Sequence, residues 1–515
     1  MRSSRTFLGS LVIPVLALAA LCFPGGAALA QAASYEFDPA FNGNYAIDAF
    51  TTGETTGAER YGSKIVRLPG GDVVTAGLVR LDNDPVASPN WNIGLVRHSP
   101  SGTRQVWSGS GPYFHAGNQY VVYPNLAAGA TGLSTIRKLI DFDYARGFFY
   151  VLVRTRFSDT PIDNDVQLLI FREDGSYVNA INFLNGSVDE DGVALSVIET
   201  GQIANPVAIA VLGVVSGFRS AIAKYLVNAS NVIQLDASFG GGDGRVEFVL
   251  PLDECSYPDC DYFSTDIAFP VGGGGGSNKP IYLSGTVRRE SPTSTDHDMV
   301  AVKFTPSGLL DTAFDFNGIR QYAFDQQDSS KADFASDLIV RRSPVGNFDT
   351  VWMMGPVARR CSQGIGVVKF DGASGMPVSA FGSVGRAVFG DDVSQPGGPC
   401  DPEAALDPAG LVAQDGEIGI AATGFLVDEN GARVFETGVL LRLSADTGLR
   451  YSLEGFSLFT GDKNYPNTLG GIALGEGGGR YYVAGAGRTG NYNSLFLAAR
   501  LKPVDDLLFR NGFDL

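Results

Sequence analysis

The stretch Asp298–Gly318, DMVAVKFTPSGLLDTAFDFNG, decides the fold. An apolar run, Met299 to Val302, ends in a basic residue, Lys303. A turn follows at Pro306-Ser307-Gly308, then Leu310-Asp311-Thr312-Ala313-Phe314, with Gly318 beyond. Apolar and β-branched residues bounded by turn formers read as a strand running into a tight turn. Pieces of this unit recur along the whole chain.

Three signatures carry the recurrence. The first is a β-rich run ending in glycine, at Gly77, Gly213, Gly285, Gly355, Gly424 and Gly485. Phe148 to Arg154, FFYVLVR, reads as a copy that has lost its glycine. The second is an apolar run closed by one basic residue: Arg97, Arg172, Lys224, Lys303, Lys369, Arg442 and Arg500. The third is Asp-x-x-Phe before a glycine, at Asp38/Phe41, Asp236/Phe239, Asp311/Phe314 and Asp506/Phe509, with a weaker copy at Val378/Phe381. From Asp38 to Asp506 is 468 residues, seven steps of about 67, and the other two signatures agree on that step.

The units are short β-rich runs among 66 glycines and 26 prolines, and no long stretch after the first thirty residues has helical periodicity. This predicts an all-β, seven-bladed β-propeller of four-stranded blades over residues 31–515, with long loops. The first and last clear Asp-x-x-Phe motifs are one more than a ring of seven needs. The N- and C-terminal stretches, residues 35–50 and 501–513, are therefore expected to meet at one blade boundary and close the ring. An open ring would leave two bare strand edges.

The order of FDPAFNG from Phe37, LPGGDVVTAG from Leu68 and IGLVRHSPSG from Ile93 resembles the delta-60 repeat family of bacterial β-propellers. The likeness extends over nearly the whole chain after residue 30 and is weakest in the second unit. It implies a propeller at an exported or surface location and carries no defined activity.

Residues 1–30 read as a cleaved secretory signal, with Arg2 and Arg5, the apolar run Phe7 to Phe23 and the small-residue site Ala28-Leu29-Ala30. The expected location is secreted or periplasmic, with no transmembrane anchor in the mature chain. The net charge of −17 argues against nucleic acid and anionic membrane as partners. Cys255, Cys260, Cys361 and Cys400 are expected to form two disulfides, pairing neighbours in sequence as Cys255–Cys260 and Cys361–Cys400.

Candidate sites are few. The seven basic positions, each near a strand end and close to an Asp-x-x-Phe motif, are expected to pair with its aspartate rather than to form a charged ring. Gly272 to Gly276 with Ser277 and Lys279 lacks the ending of a phosphate loop and reads as a hairpin tip. His297 lies between Asp296 and Asp298, which cannot all converge on one ion along a strand. Asp253, Glu254, Asp259 and Asp261, and separately Asp189, Glu190 and Asp191, offer calcium-type oxygen ligands without a calcium-loop spacing. Trp107, Tyr113, Phe114, Tyr120 and Tyr123 fill an insertion and form either a binding patch or a self-packed cluster.

No catalytic set stands out and no cofactor is called for. The expectation is a monomeric, non-catalytic exported propeller binding an unknown protein, glycan or surface component. The alternative is a hydrolase or lyase with acidic residues at the channel mouth, and the residues lining that channel discriminate the two.

Overall fold

The computed structural model describes residues 35–48, 60–80, 91–123, 135–159, 162–183, 190–215, 219–249, 262–273, 278–288, 296–324, 332–343, 348–359, 362–390, 404–414, 416–427, 433–456, 467–475, 480–488 and 494–503. The four cysteines, Asp253, Glu254, Asp259, Asp261, Asp506 and the leader segment lie outside these residues.

The described chain is all-β and propeller-like: apart from one short 3-10 turn at Asn42–Asn44, its elements are strands. They form successive antiparallel meanders, each made by strands adjacent in sequence. The meander used as reference below runs Tyr262–Ala268, Ile281–Arg288, His297–Phe304 and Ile319–Tyr322. The next runs Asp337–Arg342, Asp349–Arg359, Ser362–Asp371 and Arg386–Phe389. Single pairings, Trp91 with Ile136 and Gln363 with Ala405, fuse neighbouring meanders into larger sheets.

Burial explains the sequence pattern. The second and third strands of a meander are covered on both faces, so they read as continuous apolar runs. Ile281–Arg288 is buried at every position except Arg288, and His297–Phe304 at every position except His297. The fourth strand is less covered: no residue of Tyr177–Asn182 is fully buried, and Val178, Asn179 and Asn182 are exposed.

The glycine of the first signature marks a close approach rather than a turn. Opposite it, the first strand of the meander bulges, between Gly62 and Lys64, Gly192 and Ala194, Ser264 and Asp266, and Leu469 and Gly471. A Cβ at Gly285 would lie 2.7 Å from Phe263 O, and one at Gly355 would overlap Phe334 O. Bulge register also corrects two alignments. In the meander 404–456 the bulge faces Ala422, not Gly424. In the meander 135–182 it faces Val153, so the residue equivalent to Lys303 is buried Ile170, and Arg172 lies two residues further, at the end of the strand.

The chain ends meet. The last meander, Asn467–Leu474, Tyr481–Arg488 and Ser494–Pro503, receives Tyr45–Asp48 and Tyr35–Phe37 along its final strand, Tyr45 opposite Ala499 and Tyr35 opposite Pro503. Phe41, Ala46, Ile65, Val73, Tyr482, Ala484 and Ala498 bury one cluster across this junction. Asp38 N donates to Arg500 O, and Arg500 Nη2 lies 2.8 Å from Asp38 Oδ2 with side chains only 10% and 5% exposed.

Removing one partner of a buried pair leaves an uncompensated charge. Asp38→Ala is expected to destabilise the protein by about 3 kcal/mol. The equivalent pair Lys303–Asp311 is more exposed at its acid, 22%, so Asp311→Ala is expected to cost nearer 1 kcal/mol. Denaturant titration of both variants checks this, and equal costs would argue against burial as the cause.

Candidate functional site

Two arrangements bring charged residues together: the joins between meanders and the central cavity. At the joins, Lys224 Nζ lies 2.9 Å from Asp236 Oδ2 and Lys303 Nζ lies 2.8 Å from Asp311 Oδ2. Where valine replaces the motif aspartate at Val378, Lys369 Nζ turns to Ala445 O at 2.8 Å and to Asp446 Oδ1 at 3.4 Å. Arg97 pairs with Asp72 at 2.7 Å and Arg442 with Glu417 at 2.6 Å. Arg172, displaced by two residues, is exposed and lies over the Phe148 ring at 5.8 Å. The basic positions thus hold one meander to the next: Lys224 Nζ also reaches Pro306 O, and Arg500 Nη1 reaches Pro100 O, both in the turn of the following meander.

The cavity, about 340 Å³, is lined by the first strands of successive meanders. Its charged lining is Lys64, Asp141, Asp143, Asp266 and Asp337. Lys64, Asp141 and Asp266 occupy the same bulge position in their strands.

These carboxylates tie neighbouring strands together. Asp141 accepts from Phe142 N and, across the junction, from Leu195 N, both at 2.9 Å, while Lys64 Nζ approaches its Oδ1 at 3.3 Å. Asp143 accepts from Tyr144 N at 2.7 Å and Val197 N at 3.1 Å. Asp266 accepts Leu338 N at 2.9 Å, and Asp337 accepts Leu411 N at 2.7 Å. Hydroxyls do the same elsewhere: Ser196 Oγ for Phe269 N at 3.1 Å and Thr423 Oγ1 for Leu469 N at 3.0 Å. The bonds to the amides of Leu195, Val197, Leu338, Leu411 and Leu469 each satisfy a donor of the neighbouring meander's first strand.

Electrostatics follow from the crowding. Burial raises both Asp266 and Asp337; the charge of Asp337 and the hydrogen bond between the two raise Asp266 further, while that hydrogen bond and the Lys64 ammonium hold Asp337 back. Burial pushes Asp143 up to about 7. The facing carboxylate of Asp141 raises the Lys64 ammonium.

Other sequence candidates resolve locally. Lys279 is buried and donates to Pro270 O at 2.9 Å and Gly272 O at 3.0 Å, so it closes its own hairpin, and burial lowers its ammonium. Glu190 Oε2 accepts Val166 N at 3.3 Å, and Asp191 meets Arg154 at 2.8 Å. Among the described residues no group of three or more His, Cys, Asp or Glu is placed to hold a metal ion. The insertion packs on the following meander: Trp107 and Tyr120 are buried, Trp107 meets the Phe149 ring at 6.0 Å and Tyr123 stacks on Tyr177 at 4.6 Å. The cavity acids escaped the sequence reading, although Ser-Thr-Asp-Ile at 264–267 and Ala-Ser-Asp-Leu at 335–338 repeat 71 residues apart.

No family model matches the chain, and no curated protein sequence matches it. Solved structures do resemble it in shape. Drosophila Semaphorin 2a has a TM-score of 0.42 at 8% identity, over 87% of this chain and 75% of that one. The GH93 alpha-L-arabinofuranosidase of Fusarium graminearum, solved with arabinobiose, has 0.37 at 10%, over 71% and 91%. A protein of unknown function from Dyadobacter fermentans has 0.38 at 10%, over 87% and 96%. At these scores the likenesses carry no argument about function.

Among the described residues no helix is long and apolar enough to cross a membrane.

A carboxyl raised on folding binds its proton more tightly in the folded state. Its contribution to stability is therefore present in acid and lost as pH rises from the unfolded value, about 4, towards the folded one. For Asp143 that window ends at about 7. Asp143→Asn is expected to be the less stable form near pH 4, losing one acceptor, and to gain on wild type as pH rises to 7. Thermal melts across this range check it; a constant difference between the two proteins would contradict it.

Proposed function

We propose that the protein is an exported, non-catalytic β-propeller of seven four-stranded blades with delta-60-type repeats. Residues 1–30 are removed, and the N-terminal strand Tyr45–Asp48 completes the last blade. Its role is to bind a partner on the rim formed by the join loops. The antiparallel meanders at the expected spacing and the paired chain ends support the architecture.

One observation carries the binding reading. Phe316 is 93% exposed at φ 63°, and Val384 is 70% exposed at φ 53°, in the loops of two successive joins. A left-handed backbone disfavours β-branched and bulky residues. The corresponding loop after Phe239 uses Gly240, Gly241 and Gly242. Holding large apolar side chains in solvent on strained backbone serves no core, and such strain is characteristic of functional loops. Leu309, Met376 and Leu449, exposed in the adjoining turns, extend the apolar rim.

The hydrolase alternative needs a carboxyl free to exchange a proton with substrate. Both oxygens of Asp141 and of Asp143 already accept backbone amides, and Asp266 and Asp337 bind each other and one amide each. This favours a structural role for the cavity acids.

Photo-crosslinking residues placed at 316 and 384 in the producing cell are expected to yield a discrete adduct, and one at Val178 on an outer strand none. Phe316→Gly is expected to leave the melting temperature unchanged or raised. Absence of adducts from both rim positions would sink the reading.

A further inference from the structure

The turn that leaves the third strand has the same form in successive meanders. Asn228 N donates to Val232 O, Thr305 N to Leu309 O, Asp371 N to Met376 O and Ser444 N to Leu449 O. Each acceptor follows a residue of positive φ: Asn231 at 61°, Gly308 at 88°, Gly375 at 74° and Gly448 at 66°. All four acceptors are apolar and more than half exposed. At the same position the first two meanders carry Thr103 and Ser176, after Gly102 and Gly175. The turn itself therefore accepts a polar residue, and folding does not account for an apolar one held in solvent in four consecutive meanders.

Backbone hydrogen bonds link these turns to the join loops in one strip. Gly240 N donates to Ser307 O at 2.9 Å, Asp315 N to Ser374 O at 3.2 Å and Gly382 N to Thr447 O at 2.7 Å. Phe316 thus lies in the loop bonded to the turn of Met376, and Val384 in the loop bonded to the turn of Leu449. The strip sits at one end of the strands, where Ile281 pairs with Phe304 and Thr350 with Asp371. Charge is withheld from it. Across residues 305–318 and 371–385 no charged residue is fully exposed. Asp311 pairs with Lys303 at 2.8 Å and Asp315 with Arg320 at 2.6 Å, while Asp371 accepts Ser374 N at 2.8 Å within its own turn. The exposed Asp446, near Leu449, faces Lys369 at 3.4 Å. The segments that join the other ends of the same strands, 250–261, 325–331 and 391–403, contain ten acidic residues and one basic one.

We propose that this strip docks the protein on a bilayer of uncharged, zwitterionic headgroups, with Leu309, Phe316, Met376, Val384 and Leu449 inserted. The inference rests on the reading that the join loops bind, and it names the partner as lipid. Placement favours lipid over protein: one position repeated at the same end of successive antiparallel strands sets these side chains along one face, and a bilayer offers a flat surface. Chemistry favours it too. A protein partner is anchored by side chains seated in pockets within a polar rim. Here separate apolar tips stand among glycine, serine, threonine and alanine, and none of the five lines the central cavity. A fluid interface accepts separate tips without shape complementarity, and its hold scales with the apolar area inserted. Charge selects the headgroup, because a chain of net charge −17 is repelled by anionic lipid and the strip carries no basic cluster to offset that.

The test is flotation of the purified full chain with phosphatidylcholine vesicles. Wild type is expected to float with them at low and at high salt, and to bind less well when phosphatidylglycerol is mixed in. Inserting one large apolar side chain changes a partition coefficient about tenfold. Phe316→Ser and Met376→Ser are therefore each expected to weaken binding about tenfold, and Val178→Ser, on an outer strand, to leave it unchanged. All three are expected to melt at the wild-type temperature, which separates lost docking from lost fold. Phe316→Trp is expected to show a blue shift of emission when vesicles are added, and Val178→Trp none. A wild type that stays unbound, Phe316→Ser and Met376→Ser variants that float as well as wild type, or tighter binding to the anionic vesicles overturns the lipid assignment. The crosslinks at 316 and 384 tell that failure from failure of the binding reading itself. A lipid-modified chain supports the proposal; an adduct with protein, this chain or another, keeps the rim as a binding site and overturns lipid as its partner; no adduct overturns both.

Discussion

The joins at Lys224, Lys303 and Arg500 depend on a cation at the end of a buried strand that must be neutralised. Lys224, Lys303 and Arg500 are close to fully buried, and a buried charge is tolerated only when paired and hydrogen-bonded. The Asp-x-x-Phe loop supplies the acid, an aromatic face and a backbone bond in one short segment. Asp236 N, Asp311 N and Asp38 N each donate to the carbonyl of the cation's own residue. The loop then bonds the next meander's turn, Gly240 N to Ser307 O and Asn42 N to Ser101 O. One local requirement therefore fixes the spacing of neighbouring sheets, and repeating it sets the architecture.

The N-terminal segment shows how strict the requirement is. Arg500 has no described loop of its own to serve it, and Asp38 arrives from 462 residues away in the same geometry that Asp236 adopts from within its own meander. Strand Tyr45–Asp48 then covers an edge that would otherwise present bare amides and carbonyls. Pairing the chain ends and neutralising the last cation are one event.

At the centre the same logic runs through different chemistry. The first strands are the inner edges of their meanders, which leaves amides facing the neighbour without ladder partners, and short side chains answer them: aspartates at 141, 143, 266 and 337, hydroxyls at Ser196 and Thr423. Burial raises Asp143, Asp266 and Asp337 against ionisation, so the seam is held best when part of that set is protonated.

The sequence alone determined the all-β class, the recurring unit and the pairing of Lys224 and Lys303 with the aspartates that follow them, because these are local: a strand's apolar run, its turn and its acid lie within about fifteen residues. It also carried an excess join motif, which pointed to the chain ends. Other features were decided only by tertiary structure. Arg172 looked like a seventh equivalent cation, but a bulge earlier in its meander shifts the register by two and places Ile170 there. The insertion aromatics, equally readable as an exposed patch, are buried because Trp107 takes over a missing phenylalanine's place. The cavity acids come from strands about seventy residues or more apart and face one another only once the first strands are ranged around a common centre.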